Sequence, residues 1–168
     1  MQYDVRTYVY YALLVAGTVV LQISIVPLIR VVEVAPSLPL IAIAFISLRE
    51  GATPSMLYAF PSGLLIDAYA GEVVGISSLA LTIAAFAMSF FRDPEKTALL
   101  IRSGKAVAIV LFGAAIFSVV YVFAYFRTLD LNVVSILVRH VIGTSLYTAV
   151  MSTIPVLILA RTGSRLRV

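Results

Sequence analysis

Cysteine and tryptophan are absent, histidine occurs once, and charged side chains make up only 12% of the 168 residues. Without cysteine there is no disulfide framework, no thiolate metal site and no cysteine nucleophile. A metal centre needs several His or carboxylate ligands converging, and the lone His140 has no such cluster around it in the sequence. We therefore expect no metal, no cofactor and no enzyme. The phosphate-cradling patterns GxGxxG and GxxxxGK are also missing, which argues against nucleotide binding. The serines Ser77, Ser78, Ser118, Ser135 and Ser152 have no neighbouring base in sequence, and they read as glue between helices.

What is present is apolar. Hydrophobic residues account for 62% of the chain and the mean hydropathy is +1.09, whereas an average soluble domain carries about 25% charge. The expected fold is an all-α integral membrane protein, a compact six-transmembrane-helix bundle forming a single membrane domain over residues 1–168. The approximate spans are 8–29, 37–48, 52–70, 76–91, 104–126 and 140–160. The N-terminus lacks a short apolar region followed by a small-residue cleavage site, so it reads as a retained first span. Tyr3, Tyr8, Tyr10 and Tyr11 crowd the start of that span and suit a headgroup belt. Pro61 falls inside the third span, where it should kink the helix. The segment 130–139 reads as a surface lead-in to the last helix, and Ala12 with Ala16 has the spacing for a close helix contact.

The net charge of +4 is unevenly placed. With both termini cytoplasmic, Arg6, Arg49, Arg92, Lys96, Arg102, Lys105, Arg161, Arg165 and Arg167 lie inside, against Arg30, Arg127 and Arg139 outside. That is the positive-inside pattern. Basic residues placed this way are topology signals, and nucleic acid is not an expected partner. The loop from Arg92 to Lys105 is mixed in charge and reads as a solvated connector touching membrane lipid headgroups.

One carboxylate stands out. In FPSGLLIDAYAGEVVGISSLAL, residues 60–81, Asp67 falls in the last turn of the third span. There its charge meets the negative end of the helix dipole, an unfavourable place without compensation. Gly63, Asp67 and Gly71 recur every four residues and line one face, on which a neighbouring helix can approach. The candidate partner is Arg139, at the same outer level, with His140 beside it. The other reading has Asp67 reaching headgroup water.

The proline-led PSLPLIAIAFISLREG, the GLLIDAYAG segment and the following GISSLALTIAAF together resemble the bacterial rod shape-determining protein MreD family. Chain length, short connections, span count and basic tail are similar throughout, although the specific part is residues 36–86. The resemblance implies a non-enzymatic inner-membrane subunit of the cell-elongation machinery. Its implied partner is MreC, in one assembly with MreB, RodA and a class B penicillin-binding protein. It also implies a fold like the substrate-binding subunits of energy-coupling-factor transporters, with Gly63, Asp67, Gly71 and Gly75 matching the family's glycine-and-aspartate segment in a structural role. That likeness supplies the alternative, a vitamin-binding transporter subunit, which would need a polar pocket near the outer surface. The outer loops offer little beyond Glu33, Glu72 and Asn132. A membrane enzyme acting on lipid-linked precursors would need more clustered acids than Asp67 and Glu72 with Arg139 supply.

Overall fold

Glycines at 51, 71 and 75 divide the middle of the chain, and in the computed structural model all three take positive φ, at 93°, 67° and 107°. Only residues free of Cβ strain adopt such angles readily, so each marks a helix boundary. The structure describes residues 5–24, 36–71, 73–93, 105–126, 145–148, 150 and 153. These form five long helices: α1 Val5–Ser24, α2 Leu38–Glu50, α3 Ala52–Ala70, α4 Ile76–Ser89 and α5 Lys105–Phe126. Residues 145–148 are also helical. There is no strand among the described residues.

The third helix has the bounds expected of it, because Gly51 and Gly71 stop it at both ends. It runs through Pro61 without a break. The first is already helical at Val5, the first described residue, so it takes in Arg6 ahead of the charge-free run. Of the sixth expected span, residues 140–144 and nearly everything after 148 lie outside the described residues, and so does the lead-in 130–139. By length and composition, α1 and Lys105–Ala124 of α5 can cross a membrane. With 13 and 14 residues, α2 and α4 fall short of the roughly 20 a perpendicular span needs.

At the centre lies α2. It is apolar all round, as a helix enclosed by neighbours must be, and Leu40, Ile43, Ala44 and Leu48 join Ala59, Leu81, Ala84, Ala85, Met88, Ile109, Val110 and Ala114 in the main core. Its other side, Ala42 and Ile46, meets Tyr11 and Val15 of α1. In contrast α1 buries only the stripe Tyr11, Val15, Val19. Val9, Leu13 and Val20 face outward, and Ala12 and Ala16 are exposed too, with no described helix seated on them. Serine hydroxyls tie the inner layer: Ser47 Oγ donates to the Ala85 carbonyl at 2.7 Å and Ser78 Oγ to the Phe60 carbonyl at 2.8 Å. In hydrocarbon such bonds hold helices in register where hydrophobicity cannot.

Candidate functional site

Among the described helices α3 and α4 make the most extensive pair, and Gly63 explains it. A Cβ at Gly63 would overlap the backbone of Ser77 and Ser78. The two helices therefore meet backbone to backbone at this point. Only five residues, 71–75, separate the end of α3 from the start of α4. A short link between helices packed this closely sets the last turn of one beside the first turn of the other.

Asp67 occupies that junction and is 1% exposed. Its Oδ2 accepts the Gly75 N–H at 2.7 Å, and the Ser77 N–H is shared between Oδ1 at 3.2 Å and Oδ2 at 3.1 Å. The first N–H groups of any helix have no partner within it. Here the residue at the cap position of α4 is Gly75, in the left-handed conformation and with no side chain to supply. The cap comes across from α3 instead. The same arrangement compensates the acid: the negative end of its own helix disfavours the charge, while the positive end of α4 and two donated hydrogen bonds favour it. Gly71 and Gly75 share the sequence segment but not the packing role of Gly63. Each has open space where a Cβ would lie, and each serves the turn through its positive φ.

Arg139 and His140 lie outside the described residues, as does Glu72. The Asp67–Arg139 pairing belongs with them. Sequence reasoning identified the problem at Asp67 and missed these two donors. A usable signal was present: an acid in a last turn, followed after a short link by a glycine that opens the next helix.

α2 is capped the same way. Gln22 Oε1 of α1 accepts the Leu38 N–H at 2.9 Å, and Thr148 Oγ1 accepts the Ser37 N–H at 3.1 Å. Both are side chains from elsewhere in the chain, since Ser37 makes no side-chain cap of its own.

The opposite end of the bundle is built from exposed charge. α3 starts there, so Asp67 lies roughly 23 Å away along its axis. The Tyr11 hydroxyl donates to Glu50 Oε1 at 2.9 Å, and the Tyr58 hydroxyl donates to the Tyr8 carbonyl at 3.0 Å, fastening α1 to α2 and α3. This corrects the headgroup-belt reading for Tyr11, which is 3% exposed. It shares the inward stripe with Val15 and Val19, one turn apart each, so its ring faces the bundle. Tyr10, next to it, does face outward, and Tyr3 lies outside the described residues. Arg92 Nε donates to the Arg49 carbonyl at 3.1 Å, and the Arg49 guanidinium lies over the Phe45 ring, 4.8 Å from its centre.

Among the described residues no group of His, Cys, Asp or Glu is placed to hold a metal ion. The contacts described at both ends join one helix to another.

A family model described as rod shape-determining protein MreD matches residues 4–161, nearly the whole chain. No curated protein and no solved structure matches it.

Proposed function

This chain belongs to the MreD family of rod shape-determining proteins, and from that premise we propose that it is a non-enzymatic, multi-pass subunit of the cytoplasmic membrane that binds MreC and helps organise lateral peptidoglycan synthesis. The family match over residues 4–161 carries this reading. The wider assembly would include MreB, RodA and a class B penicillin-binding protein. Its mechanism is binding and positioning, with partners held by helix faces. Six spans with both termini cytoplasmic agree with the basic residues: Arg6, Arg49, Arg92 and Lys105 all belong to the end where α2 and α4 finish and α1, α3 and α5 start. In this reading Gly63, Asp67, Gly71 and Gly75 keep the α3–α4 junction rigid, and Arg139 is an additional partner for Asp67 from the last span. The vitamin-transporter alternative gains no support, because the matching family is one of shape-determining proteins.

The test has two arms. The tagged protein is recovered from its native membrane in mild detergent, and whatever stays bound is identified by mass spectrometry. MreC and other wall-elongation proteins are expected. Clean deletion in a rod-shaped host without a paralogue should give round cells, and unaltered rods would overturn the reading.

A further inference from the structure

All four Lys and Arg side chains among the described residues lie at one end of the bundle, and two of them are locally organised. Arg92 follows the end of α4. Its side chain lies across Gly51, where an added Cβ would come within 3.1 Å of Nη1 and 3.4 Å of Cδ. Its Nε is spent on the Arg49 carbonyl. The stem is thus held by a glycine shelf and a backbone acceptor, with Nη1 lying against Gly51 and the side chain half-buried. Arg49, one residue before the Glu50 that ends α2, keeps its guanidinium over Phe45, lies beside the Tyr11 hydroxyl and is exposed. The nearest carboxylate in sequence, Glu50, accepts the Tyr11 hydroxyl. Among the described residues neither arginine forms an ion pair with a carboxylate. A guanidinium held in place with only part of its five N–H donors spent is suited to a phosphate.

The surface leading away from this corner is apolar. On α4, Leu79, Ile83, Phe86 and Phe90 recur at helical spacing and are all exposed, Phe90 at 73%. The stripe runs over 12 residues, 79–90, roughly 16 Å along the axis, which is of the order of an extended acyl chain. It ends two residues before Arg92. Phosphate-seeking charge at the head of a chain-length apolar stripe is the chemistry of a phospholipid.

We propose that Arg49 and Arg92, at the α2–α3 corner, form a seat for the phosphate of an anionic phospholipid whose chain lies along the outer stripe of α4. This inference concerns a ligand of the membrane itself, and its test needs none of the partners proposed above.

The whole chain is reconstituted in nanodiscs of mixed phosphatidylglycerol and phosphatidylcholine, released into the gas phase, and the lipids it retains are measured. The natural protein should retain phosphatidylglycerol preferentially. R49Q and R92Q should each cut that preference by about tenfold, the order expected for one hydrogen bond to a charged group. K105Q removes the same charge at the same end and should change it less than about twofold, as diffuse attraction would. R92K keeps the charge and most of the stem but loses the fork and the bond to the Arg49 carbonyl, so it should lose most of the preference while its unfolding temperature falls only by the little that one exposed hydrogen bond is worth. Equal losses for R49Q, R92Q and K105Q would overturn the seat and leave only a general basic surface. Displacement of the lipid by millimolar inorganic phosphate would also overturn it, since the chain would then add nothing. So would capture of an acidic cytoplasmic protein with no preference between the two lipids.

Discussion

The two ends of this bundle handle charge in opposite ways. At one end a single carboxylate, Asp67, is buried and given backbone donors from the next helix. At the other, arginines stay near the surface and lean on a carbonyl and a ring. The difference follows from what each charge can reach. A carboxylate is short, so it must be met where it stands, while an arginine stem is long enough to carry its charge to the boundary. One end is therefore sensitive to backbone geometry and the other to side-chain contacts.

Substitutions should separate the ends by size of effect. Asp67→Ala leaves two buried N–H groups without an acceptor and should cost about 2–4 kcal/mol, read as resistance to denaturation in detergent. Asp67→Asn keeps an acceptor oxygen and should recover part of that loss. Gly63→Ala should cost about 1–3 kcal/mol by forcing α3 and α4 apart. Because the same separation pulls Asp67 from its donors, the double variant should cost clearly less than the sum of the singles. Full additivity would mean that the close approach and the cap are independent. Tyr11→Phe at the basic end should cost about 0.5–1.5 kcal/mol. Gly113→Ala is the control for Gly63→Ala: the atoms nearest its Cβ belong to the flexible Met88 side chain and not to backbone, so a loss well under that of Gly63→Ala is expected. Smallest of all, Ser118→Ala should be close to neutral, because its buried hydroxyl has no partner to lose.

How much of this was legible in the sequence depends on whether the cause was local. The ends of α3 were, since Gly51 and Gly71 act at their own positions. That Arg6, Arg49, Arg92 and Lys105 share one end needed only counting along alternating helices. The difficulty of Asp67 was legible from the dipole, but its solution was not, because reaching Ser77 depends on how closely two helices pack, and that is fixed by Gly63 against a backbone fourteen residues onward. Tyr11 was misread because four clustered tyrosines look alike in sequence, and only the packing of α2 decides which one turns inward. Gln22 and Thr148 carried no signal at all, as their partners are 16 and 111 residues away.

Those separations also set an order of synthesis. The junction between α3 and α4 can close once Ser77 has been made, with all its participants adjacent on the growing chain. The start of α2 cannot, for Ser37 waits on Thr148 until 111 further residues have been translated. In the interval its amide must find water, a lipid headgroup or an insertion factor. A released chain that stops before residue 145 should therefore be more easily proteolysed than the whole one, although it contains all five of the long helices described above.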